Sequence, residues 1–115
     1  MRYFKIFDEK DGLPRTLFHG INGSKTLPLN EWIDAVVKDV SDGGTVYKSG
    51  FHILPTLEET RQYATRFKES KTLVEVDVDE SAGVWPKSHS KSNVVLAKRI
   101  RIRTSQWKKR IYSSA

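Results

Sequence analysis

The three histidines are the side chains of this chain best suited to proton transfer or metal binding. His19, His52 and His89 each lie at a turn or at the end of an apolar stretch, not within a helical pattern. An imidazole that titrates near neutrality can serve as a general base or acid, and its neutral form binds metals. No two histidines have the spacing of a ligand pair and the chain has no cysteine, so we predict no metal site. Turn histidines bonded to backbone carbonyls are the alternative interpretation.

The sequence lacks two common catalytic signatures. Its serines are numerous, but none stands in a Gly-x-Ser-x-Gly elbow. Neither of the usual Gly-rich phosphate loops is present. Serine-based nucleophilic catalysis and a P-loop nucleotide site are therefore not expected.

Charge is distributed unevenly along the chain, which carries a net charge of +6. Residues 1–80 hold 11 Lys and Arg together with all 14 Asp and Glu, whereas residues 81–115 hold 9 Lys and Arg and no acid. Such asymmetry favours an anionic partner, either nucleic acid, a nucleotide or an acidic protein. A solubilising basic C-terminal tail, from about residue 104, is the alternative interpretation.

Cations and aromatic residues are interleaved in the last third of the chain. The alternation over residues 94–103 predicts a final strand with Arg99, Arg101 and Arg103 on one face. Cations follow a phosphate backbone and flat rings can stack on bases, although edge arginines can also serve to prevent aggregation. The predicted nucleic-acid-binding residues are Lys87, Lys91, Arg99, Arg101, Arg103, Trp107, Lys108, Lys109 and Arg110.

The most organised stretch runs from residue 47 to residue 67. It predicts a short strand through Phe51 and His52, with Gly50 allowing a close backbone approach. A helix follows, with Thr56 as its N-cap and Glu59 completing a capping box. Its apolar face is expected to contain Leu57, Thr60, Ala64 and Phe67, with Tyr63 beside them.

Other patterns predict a mainly antiparallel sheet around this helix. Residues 3–7 and 15–19 are expected to form a hairpin, residues 72–78 a strand, and residues 79–93 a long polar loop. Residues 29–40 match a helical series, which we favour, but they also alternate as a strand would. Together these elements predict one α+β domain with a twisted, mainly antiparallel sheet of about five strands and one or two helices.

Composition limits the class of protein. There is no run of about 18 apolar residues, so no membrane span is expected. The N-terminal residues lack the pattern of a secretory signal. A cytoplasmic protein of one domain, with no required cofactor, is the simplest expectation.

Several short motifs resemble, in their order, those of ADP-ribosyltransferases of the poly(ADP-ribose) polymerase type. They are Leu17-Phe18-His19-Gly20, Ser49-Gly50-Phe51-His52-Ile53, Gln62-Tyr63-Ala64 and Leu73-Val74-Glu75-Val76. The resemblance implies that NAD is the cofactor, that His19 and Gly20 bind it, and that Gly50 and Tyr63 form a wall of its nicotinamide pocket. The catalytic candidates are His19, His52 and Glu75.

The sequence departs from this family where the transferases carry a glutamate near a late strand. No acid follows Glu80, so the acid would have to come from Glu75, Asp77 or Glu80, or the fold would lack transferase activity. The related RNA 2′-phosphotransferases use histidine and arginine there, which leaves a phosphate-handling role open for Arg99 and Arg101.

Over nearly its whole length the chain also resembles small uncharacterised proteins of tailed bacteriophages. The shared motifs are Leu17-Phe18-His19-Gly20, Asn22-Gly23-Ser24, Ser49-Gly50-Phe51-His52, Lys87-Ser88-His89-Ser90 and Asn93-Val94-Val95-Leu96-Ala97. This resemblance implies an accessory protein in the host cytoplasm, acting on a host process. The expected function is binding of nucleic acid or a nucleotide through the C-terminal third, with transferase-like activity and inhibition of a host protein as alternatives.

Overall fold

Strand β1 lies at the centre of the fold in the computed structural model, which describes residues 2–17, 25–42, 45–87 and 93–113. Within these residues the secondary-structure elements, in chain order, are β1 (Tyr3–Lys10), β2 (Leu13–Arg15), β3 (Trp32–Asp34), β4 (Asp39–Asp42), β5 (Thr45–Lys48), β6 (Phe51–Ile53), α1 (Leu57–Ala64), β7 (Thr72–Val78), a 3₁₀ turn (Glu80–Ala82), β8 (Val84–Pro86), β9 (Val95–Ala97), β10 (Arg99–Arg101), α2 (Thr104–Lys108) and β11 (Ile111–Tyr112).

The described strands form three antiparallel sheets. The largest has the order β2-β1-β7-β10-β3, and β11 pairs with β7 on the edge that β10 also uses. A second sheet has the order β6-β9-β8, and β4 and β5 form a separate hairpin. The predicted α+β class and mainly antiparallel pairing are confirmed, although the strands are divided among three sheets.

Two connections close the largest sheet and the β6-β9-β8 sheet into a ring. Phe4 and Leu54 exchange two backbone hydrogen bonds of 2.8 Å, which join β1 to the end of β6. On the other side β9 continues through Lys98 into β10, which pairs with β7. The strands β1, β7, β10, β9 and β6 therefore enclose the main core, whose members include Phe7, Ile53 and Ile100.

Strand β1 separates two hydrophobic clusters because its side chains alternate between its faces. Tyr3 and Phe7 belong to the main core, whereas Ile6 packs with Leu73 and Ala64 beneath helix α1. Helix α1 begins as predicted, with Thr56 Oγ1 accepting a 3.1 Å hydrogen bond from the Glu59 amide. The Glu59 carboxylate does not complete the capping box, because it accepts a hydrogen bond from Asn93.

The favoured helix over residues 29–40 is wrong, because this segment forms β3 and the start of β4. A helix with the predicted face would bury Trp32 and Val36, which are 44% and 45% exposed. The alternation is decisive instead, since Ile33 packs on the core while Trp32 and Asp34 point outward. The β-branched side chains of this segment are less restricted in a strand than in a helix, and pairing with β10 supplies the backbone hydrogen bonds.

Three other predicted boundaries also need correction. The first hairpin exists, but its turn is Asp11-Gly12, with φ of 54° and 76°, so its second strand is Leu13–Arg15 and does not continue through residues 16 and 17. Residues 18 and 19 of the predicted strand lie outside the described residues. The strand expected around Gly50 is divided into β5 and β6. Residues 79–93 are not wholly a loop, because Asp79 caps the 3₁₀ turn and β8 pairs with β9.

The predicted final strand is two strands with a bend at Lys98. Its alternation is as expected, with Val94, Leu96, Ile100 and Ile102 all buried. It is also not the last element, because residues 104–112 contain helix α2 and strand β11. The segment from residue 104 to residue 113 thus belongs to the folded domain.

Candidate functional site

The predicted arginine face exists, but acidic side chains lie directly against it. We call Asp34, Asp77, Asp79, Arg99, Arg101 and Arg103 the charged face. It forms because β10 lies between β3 and β7, and the paired side chains of antiparallel strands point to the same side. Asp34 of β3 stands opposite Arg99, and Asp77 of β7 stands opposite Arg101.

Each arginine of the charged face is bonded to a carboxylate. Arg99 Nε donates to Asp34 Oδ1 at 2.8 Å, and its Nη1 lies 3.5 Å from Asp79 Oδ2. Arg101 Nη2 and Arg103 Nε donate to Asp77 Oδ2 at 2.8 and 2.9 Å. The positive charge that the sequence concentrates in these residues is therefore balanced by acids from earlier in the chain.

Asp77 is the centre of this network. Besides the two arginines, Gln106 of α2 donates to its Oδ1 at 2.8 Å. Partial burial favours the neutral form, but the hydrogen bonds from Arg103, Arg101 and Gln106 outweigh it and hold the pKa of Asp77 below its ordinary value. Asp77 thus remains a carboxylate and fixes α2 to the sheet.

The exposed indole of Trp32 adds an aromatic surface at the edge of the charged face. The Arg101 guanidinium lies 4.5 Å from the centre of the Trp32 ring, a cation–π arrangement. Opposite charges hold Arg99 on Asp34 in the next row, and the hydrogen bond from Arg99 lowers the pKa of Asp34. In one row across the sheet, Arg101 therefore lies between Asp77 and Trp32. In the next row, Arg99 lies between Asp79 and Asp34.

The C-terminal cations divide into bonded and free groups. Arg110 Nε donates to Glu9 Oε1 at 2.6 Å, and its guanidinium lies over the Trp107 ring. Lys108 and Lys109 are exposed, and no acidic partner is present for them among the described residues. Lys108 is the last residue of α2 and Lys109 follows it directly.

Trp107 is not available for stacking on a base, which corrects its predicted role. Its side chain is only 4% exposed and packs in the main core. The indole Nε1 donates to the Gly12 carbonyl at 2.9 Å, which attaches α2 to the β1–β2 turn. The exposed ring of this segment is Tyr112, at 56%, whose hydroxyl donates to Glu9.

A second polar site, which was not predicted, lies inside the ring of strands. Lys5 projects from β1 between Tyr3 and Phe7, and its Nζ donates to the His52 carbonyl at 3.2 Å. The Phe7 and Phe51 rings lie 5.5 and 5.8 Å from this nitrogen. Burial lowers the pKa of Lys5 to about 8. The signal was present in the sequence, since a lysine stands at the core-facing position of an alternating strand.

The imidazole of His52 is neutral. Burial, followed by the charges of Lys5 and Lys87, lowers its pKa to about 3, and a hydrogen bond with the Gly50 backbone opposes this shift only in part. A base of that pKa is a weak proton acceptor at neutral pH. This environment favours a structural histidine over the predicted catalytic one.

Gly50 makes the close approach that was predicted, but the neighbour is the protein itself. A Cβ at this position would lie 3.1 Å from the Ala97 carbonyl oxygen and 3.2 Å from a Trp85 ring carbon. Trp85 is held there by a 3.2 Å hydrogen bond from its Nε1 to the Lys48 carbonyl. The Trp85 indole therefore lies directly beside Gly50.

The other predicted pocket residues lie in different surroundings. Tyr63 packs with Phe67 over the cluster beneath α1, and the Arg66 guanidinium lies 4.5 Å from its ring centre. Glu75 forms an ion pair with Arg2. His19, Gly20, His89 and Lys91 lie outside the described residues. Lys87 is described and half-buried.

Comparisons with protein-family models, curated proteins and solved structures found no match to this chain. Among the described residues, no helix has the length and apolar character needed to cross a membrane. The same residues contain no group of three or more His, Cys, Asp or Glu side chains arranged to hold a metal ion.

Proposed function

We propose that this protein binds single-stranded nucleic acid through the surface where α2 and β11 meet the β1–β2 hairpin. We call Lys10, Lys108, Lys109, Arg110 and Tyr112 the hairpin-end surface. The observation that carries the proposal is that Lys108 and Lys109 are exposed without an acidic partner in the described chain, whereas the arginines of the charged face are all bonded to carboxylates.

The contacts of the segment support a rigid binding surface. The Trp107 bond to Gly12 and the Arg110 bond to Glu9 hold the C-terminal segment, with its two lysines, against the hairpin that carries Lys10. Tyr112 is the exposed aromatic side chain of this region. Lysines attract phosphates and a flat ring stacks on a base, so the combination suits an unpaired strand.

The proposal is tested by titrating a labelled single-stranded oligonucleotide and a duplex of equal length over a series of salt concentrations. The double variant K108Q/K109Q is expected to weaken binding and to reduce the salt slope by about 1.4, since each phosphate contact on a single strand contributes about 0.7. Tyr112→Ala is expected to weaken single-strand binding by about 1–3 kcal/mol and to leave the salt slope unchanged.

A matched control is provided by K38Q/K48Q, which removes the same charge from exposed lysines on the β4–β5 side of the molecule. If this variant loses as much affinity as K108Q/K109Q, net charge and not the hairpin-end surface is responsible. Wild-type protein that binds neither oligonucleotide at low salt would refute the proposal.

A further inference from the structure

Strand β3 leaves one edge of the largest sheet unpaired among the described residues. The Ala35 amide donates to the Lys98 carbonyl and Ile33 pairs with Ile100, so the backbone groups of Ile33 and Ala35 point to β10. Because hydrogen bonding alternates along an antiparallel pair, the amides and carbonyls of Trp32 and Asp34 point away from the sheet. This edge is one to which another strand can add.

The spacing of these groups is self-complementary. In an antiparallel pair of two β3 strands related by a two-fold axis at Ile33, Trp32 stands opposite Asp34 of the second copy, and Asp34 opposite Trp32. Both residues of each pair direct their backbone groups outward, so four hydrogen bonds would form without a shift in register.

The side chains of the edge agree with this pairing. Arg101 stacks on Trp32, and Arg99 is bonded to Asp34. In the dimer, each row across the joined sheet would contain Arg101 and Trp32 of one copy, followed by Asp34 and Arg99 of the second copy. No two like charges would then lie next to each other. Trp32 and Val36 are two of the three exposed large hydrophobic side chains among the described residues, and both flank this edge.

We propose that the protein self-associates as a two-fold dimer through β3, which joins the two largest sheets into one. The occupant of the edge is a second copy of the chain, because the register and the charge order fit the strand itself. The partner contributes Asp34 beside Trp32 and receives the same contact in return. The contact is small, so the dimer is expected to be weak and dependent on concentration.

Sedimentation velocity from micromolar to near-millimolar concentration tests the proposal with two opposite charges at one position. Trp32→Glu places a carboxylate beside Arg101 within the monomer, which preserves the strand. In the dimer, the same carboxylate would face Asp34 of the second copy, and this repulsion would occur in both rows. We expect it to weaken dimerisation by about tenfold or more. Trp32→Lys faces the same Asp34 with a cation, and we expect it to retain the dimer.

Hydrogen exchange supplies a measurement that does not depend on a variant. Dimerisation is expected to slow exchange of the Trp32 and Asp34 amides at high concentration, while the Ile33 amide, already bonded to β10, is unchanged. A wild-type protein that remains monomeric throughout the concentration range overturns the proposal. Equal loss of the dimer in Trp32→Glu and Trp32→Lys also overturns it, since association would then depend on the indole and not on the paired edge.

Discussion

The charged face and the Lys5 site present cations in opposite ways. Arg99, Arg101 and Arg103 are partly exposed, and each is bonded to an aspartate. Lys5 is buried and has one carbonyl acceptor and two aromatic rings. The comparison shows that a run of cations in a sequence can be neutralised by the fold, whereas a single lysine in an apolar strand can be the more perturbed group.

The largest expected effect concerns the buried cation. The pKa of Lys5 is about 8 in the folded protein, against an ordinary value of 10.5, so between these values the unfolded chain holds a proton that the folded chain has lost. Stability therefore rises as pH increases from 8 to 10.5, and the cost of charging Lys5 is fully present below pH 8. The shift corresponds to about 3 kcal/mol.

Lys5→Met isolates this contribution, because all other titrating groups are shared with the wild type. Urea unfolding across this pH range is expected to show a variant that is more stable than the wild type at about pH 7, by about 1–2 kcal/mol after loss of the His52 hydrogen bond. The gap should close or reverse near pH 10.5. A gap that is constant from pH 8 to 10.5 would show that Lys5 keeps its proton in the folded state and that its pKa is not lowered by burial.

The next largest effect tests the neutralised cations. Asp77→Ala leaves Arg101, Arg103 and Gln106 without their shared acceptor. Because these bonds are charged and partly buried, we expect a loss of about 2 kcal/mol in the free energy of unfolding. Chemical denaturation measures it, and Asp77→Asn, which retains one acceptor oxygen, should recover part of the loss. If Asp77→Ala is as stable as the wild type, the charged face is not a stabilising network.

How much of the fold can be predicted depends on the range of the interaction. The cap at Thr56, the alternation from Val94 to Ile102 and the close approach at Gly50 follow from local stereochemistry and periodicity, and all three are observed. The pairing of Asp34 with Arg99 joins residues 65 positions apart. Nothing local to the last third of the chain indicates it.

The candidate site illustrates the same limit. Lys108, Lys109 and Arg110 are predicted from the sequence, but only the fold separates the bonded arginine from the two exposed lysines. The ring on which a base could stack is Tyr112 and not the predicted Trp107, because the Trp107 indole is buried in the main core. Periodicity does not distinguish these two aromatic residues over so short a helix.

A smaller effect is expected at Gly50, whose backbone packs closely against Ala97 and Trp85. Gly50→Ala adds a methyl group 3.1 Å from the Ala97 carbonyl oxygen, a backbone atom that cannot rotate away. The strain exceeds the entropic gain of replacing glycine, so we expect a net loss of about 1 kcal/mol. Thermal unfolding measures the loss. A Gly50→Ala variant as stable as the wild type would show that Trp85 and β9 yield readily.

The smallest effect sharpens the comparison within the charged face itself. Asp34 is bonded to Arg99 and lies 3.6 Å from Lys98, yet its side chain is 52% exposed. Water and salt screen such a pair, so Asp34→Asn is expected to leave the free energy of unfolding unchanged within error at physiological salt. Comparison with Asp77→Ala in the same denaturation experiment then shows whether an arginine–aspartate pair stabilises the fold by its ionic contact alone or only when the carboxylate is also partly buried. Equal losses of unfolding free energy at the two aspartates would mean that ion pairing alone stabilises this face. A loss confined to Asp77 would identify this partly buried carboxylate as the residue that holds α2 in place, and with α2 the hairpin-end surface.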